Sequence, residues 1–319
     1  MSFLWSQLIV RLPYPTASFA GQTVIVTGSN TGLGKEAARH FARLGASKVI
    51  LAVRNTKAGD AAKKDIEATT KCHASVIEVW PLDLSSYDSV KAFASRASSD
   101  LPRIDVLLEN AGIATQQFDF AEGHERTITV NVISTFLLAL LLLPKLRSTA
   151  KEFKTTPHLT IVSSEVHGWT KFPEWKEPNT FTALDDKAKT NFDERYPTSK
   201  LLEVLVVREI APKMADSGVV LNYLNPGLCH SELAREAGWG LWIMKLLLAR
   251  STEVGSRTLV AAAVAGPGSH GKYMTDAVVD DSHLSPFVRS DDGKAAEKKV
   301  WTELSEILET VQPGVTKNI

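Results

Sequence analysis

Tyr196 and Lys200, in the run Tyr-Pro-Thr-Ser-Lys, form the pair in this chain best suited to acid–base chemistry. On a helix, residues at this spacing lie one turn apart on the same face. A neighbouring ammonium stabilises phenolate. The pair therefore predicts a tyrosine pKa drawn down from about 10, and a phenol able to give or take a proton near neutral pH. Spacing alone proves little, because Tyr87 and Lys91 repeat it. That copy comes just after Asp83 and reads as a surface coincidence, whereas Tyr196 follows a strand ending in Ser163-Ser164.

A second group is suited to phosphate. Thr27-Gly28-Ser29-Asn30-Thr31-Gly32-Leu33-Gly34 closes a β-branched strand and opens a helix. Glycines at such a turn let the backbone approach an anion, and the helix start offers free N–H groups and the positive end of a dipole. The pattern alone also fits a plain strand–helix turn; the strand and helix on either side favour the phosphate reading. The next strand ends in Leu51-Ala52-Val53-Arg54-Asn55, with no acid for a ribose 2′-hydroxyl. The planar fork of Arg54 suits a 2′-phosphate instead, which points to NADP(H) over NAD(H).

Positioning these groups takes a parallel sheet. Buried strands are expected at residues 23–26, 48–53, 75–82, 105–108, 159–162 and 219–224. Helices are expected near 33–44, 87–98, 125–146 and 197–215, with an amphipathic helix at 294–311. Strands alternating with helices mean βαβ crossovers, so the expected fold is α/β, a single doubly wound Rossmann-type sheet with helices on both faces. Residues 1–20 read as an N-terminal extension and 21–319 as one domain. Residues 165–194 are a polar insertion, and 228–271 depart from the sheet pattern and are expected to cover the site.

Composition narrows the classes. The 319 residues carry 36 Lys+Arg against 36 Asp+Glu, so no bulk field draws the chain to nucleic acid. Two cysteines, Cys72 and Cys229, make no disulfide framework or metal spacing, which favours a reduced, cytoplasmic compartment. The apolar run at 135–144 is shorter than the ~20 residues of a spanning helix and reads as a buried helix. Histidines show no ligand spacing, although His167 and His230 follow Ser164 and Gly227 closely.

Thr27-Gly28-x-x-x-Gly32-x-Gly34, Asp83-Leu84, Asn110-Ala111-Gly112, Asn131, Ser164, Tyr196-x-x-x-Lys200 and Pro226-Gly227 occur in that order. The ordered set resembles the classical short-chain dehydrogenases/reductases over about residues 20–312. The glycine turn, Val53-Arg54-Asn55, the long Ser-to-Tyr insertion and the helix with Trp301 look like the retinol-dehydrogenase-like branch. The resemblance implies that Gly28, Ser29, Asn30, Gly32, Leu33 and Gly34 cradle the cofactor phosphates. It puts Asp83, with Leu84, at the adenine and Asn110, Ala111 and Gly112 along the ribose. Pro226, Gly227 and Leu228 would pass along the nicotinamide, with Ser231 near its carboxamide. Asn131 would hold a relay water and Ser164 would orient the substrate oxygen. Tyr196 would move the proton, and Lys200 would bind the nicotinamide ribose and lower the tyrosine pKa. Glu109 departs from the family's usual Asn, Ser231 from a frequent Thr, and Ser134-Thr135 from a small Gly.

The implied activity is hydride exchange between NADP(H) and a carbonyl or secondary alcohol. Residues 239–249 are strongly apolar and read three ways: a lid over a bulky apolar substrate, a packed helix or dimer surface, or a membrane-surface contact. Polyketide, terpenoid, steroid and retinoid carbonyls all fit, as does a tailoring step in secondary metabolism. A cofactor-binding protein with a non-redox role, such as directing a cyclisation, is the alternative, and a non-catalytic partner-binding module is a third reading. A homodimer is expected through residues 136–143 and the Tyr196 helix.

Overall fold

The computed structural model describes residues 3–230 and 248–319. After a short helix α1 (Phe3–Leu8), β1 (Thr23–Thr27), α2 (Gly32–Arg43), β2 (Lys48–Val53), α3 (Thr56–Thr70), β3 (Ile77–Pro81), α4 (Tyr87–Asp100) and β4 (Val106–Glu109) alternate. A hairpin of β5 (Phe120–Ala121) and β6 (His124–Glu125) leads into α5 (Arg126–Ile128), a π-helical turn (Thr129–Ile133) and the long α6 (Ser134–Phe153). Then come β7 (His158–Val162), α7 (Thr180–Leu184), α8 (Phe192–Ile210), β8 (Val220–Asn225), α9 (Thr252–Ala262), β9 (Tyr273–Thr275), β10 (Val278–Val279) and α10 (Asp291–Val311).

Among the described residues the main sheet has eight strands in the order β3-β2-β1-β4-β7-β8-β9-β10. All neighbours pair in parallel except β10, which runs antiparallel on β9. This is the expected doubly wound α/β fold. Strand alternation divides the core. Val24 and Val26 of β1 join Phe41 of α2, Ile66 of α3 and Leu259 of α9 on one face. Ile25 turns to the other face with Phe93 of α4, Phe136 of α6, Leu205 of α8 and Val300 of α10. Each such side chain, fully buried, contributes about 1.5–3 kcal/mol.

Three expectations shift. The helix expected at 125–146 is broken at the π-helical turn, which carries Asn131. The helix expected from Pro197 begins at Phe192, because Asn191 caps it by accepting from Asp193 N at 3.2 Å and acidic Asp193 and Glu194 follow. Residues 252–262, expected within a cover over the site, form α9 and join the core beside α2. Residues 231–247, which hold Ser231 and most of the apolar run 239–249, lie outside the described residues.

The helical run Arg126–Phe153, from α5 through α6, is long and apolar enough to cross a membrane, yet 89% of its most apolar window is buried inside the protein. Phe136, Leu137, Leu138, Leu140 and Leu143 are fully enclosed by their own chain, as are Leu202 and Leu205 of α8. The apolar faces expected to pair across a twofold are thus already covered, in part by α10 and the C-terminal residues. Pro144 lacks the N–H that would bond Leu140 O, and Asn318 Nδ2 donates to that carbonyl at 3.1 Å instead.

Candidate active site

The chain leaves β1 toward β2 on one side and returns to β4 on the other, so a crevice opens at the carboxyl ends of β1 and β4. Here two turns pass backbone to backbone. Gly28 has φ +64°, and a Cβ on it would sit 2.9 Å from Ala111 Cα. A Cβ on Gly34 would lie 2.6 Å from Gly28 O. Thr27 Oγ1 accepts from Asn110 N and Ala111 N, both at 2.9 Å. Asn110 Nδ2 donates to Thr27 O at 2.8 Å and Gly28 O at 3.2 Å. The Asn110 side chain therefore braces the glycine turn, and Ser29 Oγ is turned inward onto Val26 O at 2.8 Å. Thr31 begins α2 without a side-chain cap, so the amides at Gly32, Leu33 and Gly34 remain available to an anion. Asn30 and Leu33 flank them, half-buried.

Arg54 follows β2, exposed and in no ion pair among the described residues. Asp83 follows β3 half-buried, and its Oδ1 accepts from Ser85 N at 2.9 Å and Ser85 Oγ at 2.6 Å. Leu84 is buried beneath it.

The groups expected to handle the proton gather from α8, the end of β7 and the π-helical turn. Lys200 Nζ lies 5.7 Å from the centre of the Tyr196 ring. It donates to Val162 O at 2.9 Å and to Glu203 Oε1 at 2.7 Å. Asn131 Nδ2 donates to Ile113 O and to Ser199 Oγ, both at 2.9 Å, while its Oδ1 accepts from Ile113 N at 2.8 Å. Its amide thus ties the loop after Gly112 to α8. Ser164 is half-buried, and its hydroxyl accepts from Val166 N at 3.3 Å. His167 Nδ1 lies 2.7 Å from Ser164 O, and its Nε2 accepts from Ser285 N at 3.0 Å. Both ring nitrogens are spent on holding this loop, and burial pushes the His167 pKa down.

The expected lowering of the tyrosine pKa is not what the structure gives. Burial pushes the Tyr196 phenol up, Lys200 opposes this, and Glu203 adds to the rise. Burial works against the Lys200 ammonium, but Glu203 offsets it and the lysine pKa ends raised. Burial pushes Glu203 up to about 7 against the pull of Lys200. Glu109 is driven well above the carboxylate range by burial, with the charge of Glu203 adding to it. Glu203 escaped the sequence reading, although its position one turn beyond Lys200 was a usable signal.

Pro226 is buried and Gly227 has φ +77°. The bare side of Gly227 is filled by Gln7 of α1: a Cβ there would lie 2.5 Å from the Gln7 amide. With that amide oriented to satisfy both ends, it donates to Leu228 O at 3.1 Å and accepts from Leu228 N at 3.0 Å. Arg250 pairs with Asp276 at 2.7 Å and donates to Ser6 O at 2.5 Å, anchoring the same arm. Neither Gln7 nor Arg250 was expected at the site. Of the second Tyr–Lys pair, Tyr87 is not on the surface as expected, whereas Lys91 is part-exposed. Tyr87 is buried with no hydrogen-bond partner for its hydroxyl among the described residues, and Lys91 pairs with Asp88 at 2.9 Å.

Comparison with known proteins matches residues 22–154 to the family described as short chain dehydrogenase. A short chain dehydrogenase/reductase of Cryptosporiopsis sp. is 54% identical over 100% of both chains. Two solved structures share the fold. The Pseudomonas aeruginosa RhlG/NADP active-site complex has a TM-score of 0.61 at 22% identity, over 82% of this chain and 97% of that one. The 3-ketoacyl-(acyl-carrier-protein) reductase from Brucella melitensis complexed with NADH has a TM-score of 0.61 at 19% identity, over 81% and 97%.

Proposed function

The chain belongs to the short-chain dehydrogenase/reductase family, a family of nicotinamide-dependent oxidoreductases, and on that premise we propose that it uses NADP(H) to interconvert a carbonyl and a secondary alcohol on a bulky apolar small molecule. The observation that carries this is Tyr196 and Lys200 standing together on α8 near Gly112, at the same end of the sheet as the uncapped glycine turn. The turn suits a dinucleotide: side chains are excluded at Gly28 and Gly34, and the first amides of α2 are free.

When bound, the nicotinamide gives or takes the hydride. The chain's residues do the rest. The amides of Gly32 to Gly34 hold phosphate, Arg54 the 2′-phosphate, and Asp83 with Leu84 the adenine. Ala111 and Gly112 bound the ribose, while Pro226, Gly227 and Leu228 bound the nicotinamide. Ser164 orients the substrate oxygen, Tyr196 Oη gives it a proton in reduction, Lys200 steadies the developing phenolate, and Asn131 holds the loop that faces them. The retinol-dehydrogenase-like branch, a polyketide, terpenoid, steroid or retinoid substrate, and a tailoring step in secondary metabolism belong to the same proposal. So does a cytoplasmic location, supported by a chain with only two cysteines, Cys72 and Cys229, too few for a disulfide framework.

The test is NADPH oxidation against a panel of apolar ketones. The expected result is turnover of at least one, lost by about 100-fold or more in Tyr196→Phe with cofactor affinity nearly unchanged. Tight cofactor binding without oxidation across the panel would favour the non-redox reading.

A further inference from the structure

Behind the phenol, two carboxyls and one ammonium share an enclosed space. An ammonium has three N–H donors and no acceptor. Lys200 spends two of them, on Val162 O and Glu203 Oε1, leaving one. The Lys200 and Glu203 side chains are only 5% and 2% exposed. Glu203 Oε2 and Glu109 Oε1 are buried without hydrogen-bond partners among the described residues. The other Glu109 oxygen has the Thr27 hydroxyl at 3.5 Å. Because Thr27 Oγ1 already accepts two amides, its own proton is directed at Glu109.

The groups that titrate here are Tyr196, Lys200 and Glu203 from α8 and Glu109 from β4; β7 adds the Val162 carbonyl, and Ser163 just beyond it donates to Lys200 O at 3.0 Å and opposes the rise at Glu203. Burial disfavours the charged form of both carboxyls, and the charge of Glu203 adds to the rise at Glu109. Glu109 is the member held neutral, being the more strongly raised and having no cation beside it among the described residues. Glu203 then carries the charge that faces Lys200. A counter-ion at 2.7 Å cancels much of the lysine's field at the phenol.

Resting on the reading of Tyr196 as the proton-transfer group, we infer that Glu203 is a positioning residue of the reaction: it holds Lys200 against the end of β7 and, backed by Glu109, sets how much of the lysine's positive field reaches Tyr196. The isolated Tyr–Lys pair would make a stronger acid than this cluster does.

The test is a ring-carbon NMR titration of the tyrosines in the full chain, with the Tyr196 signal assigned by its loss in Tyr196→Phe. It requires neither cofactor nor substrate. Glu203→Gln keeps the shape and removes the charge, and is expected to lower the Tyr196 midpoint by about one unit or more, about tenfold more phenolate at a given pH. Glu109→Gln is expected to shift it by less than about half a unit. The double variant removes the carboxyl able to stand in as counter-ion and should lower the midpoint at least as far as Glu203→Gln. If Glu203→Gln does not fold, Glu203→Asp, which withdraws the charge by one methylene, should give a smaller lowering. A midpoint unmoved or raised in the folded Glu203 variants overturns the inference. An inactive ketone panel with the shift still present would instead sink the proposed function and leave the electrostatic link standing.

Discussion

Arg54→Ala is expected to weaken NADPH binding by about 1–3 kcal/mol, roughly 5- to 150-fold, and to leave NADH binding within about twofold. The magnitude follows from the setting of the side chain. Arg54 directly follows β2 next to the glycine turn, and no ion pair among the described residues must be broken before it can hold a phosphate. Its bond to a 2′-phosphate is therefore charge-assisted and unopposed. Its exposure limits the gain, because water and salt screen an accessible pair, with a Debye length of about 8 Å at physiological ionic strength. The lower half of the range is expected there and the upper half at low salt. Arg54→Lys keeps the charge but loses the two-pronged geometry, so it should fall between wild type and Arg54→Ala. Fluorescence titration of both cofactors at two ionic strengths measures all of this. Equal binding of NADPH and NADH by wild type, or an equal loss for both in Arg54→Ala, would refute the assignment.

Tyr87→Phe removes a buried hydroxyl with no partner among the described residues, so urea unfolding should show stability unchanged or raised, by up to about 1 kcal/mol, with turnover unaffected. Burial, with Asp276 adding and Arg250 opposing, pushes the Glu165 carboxyl from 4.5 up to about 7. Through that window the native state binds more protons than the unfolded chain, so this group costs stability as pH rises. Glu165→Gln should therefore raise stability at about pH 8, by no more than about 3 kcal/mol, and leave it unchanged at about pH 4; a loss at the higher pH would contradict the assigned sign. Because the apolar faces of α6 and α8 are enclosed by their own chain, light scattering at micromolar concentration should find a monomer; a dimer would have to pair through another face.

Where local chemistry decides structure, the residues were readable in advance. The β-branched run at Thr23–Thr27, the glycines that a close backbone approach demands, and the helical spacing of Tyr196 and Lys200 each state their own geometry. Contacts between distant segments were not legible. Nothing near Asn131 announces that its amide will bridge Ile113 and Ser199, or that a π-helical turn will present it there. The tyrosine pKa was misjudged for the same reason. A five-residue motif shows the cation but hides the burial and the anion, and those two prevail. α3 was missed because its Ala-, Lys- and Asp-rich run has only Gly59, Ala62 and Ile66 buried, too few for a clear apolar stripe.

The two ends of the chain lie outside the matched residues 22–154, and each completes bonding left open elsewhere in the fold. Gln7 fills the side of Gly227 that a Cβ cannot occupy and takes up both backbone groups of Leu228. Arg257 holds Leu12 O at 2.8 Å, and Arg43 donates to Pro15 O at 2.7 Å, so the arm is tied to α9 and α2 along its length. At the other end Asn318 satisfies the carbonyl that Pro144 sets free. A glycine with positive φ is soft, and a proline inside a helix leaves an acceptor unmet. Both are tolerable here because a remote segment returns to the same spot. The groups proposed to react are therefore specified by short motifs, while the bonding of the loop at Pro226-Gly227-Leu228 is completed by residues more than two hundred positions away.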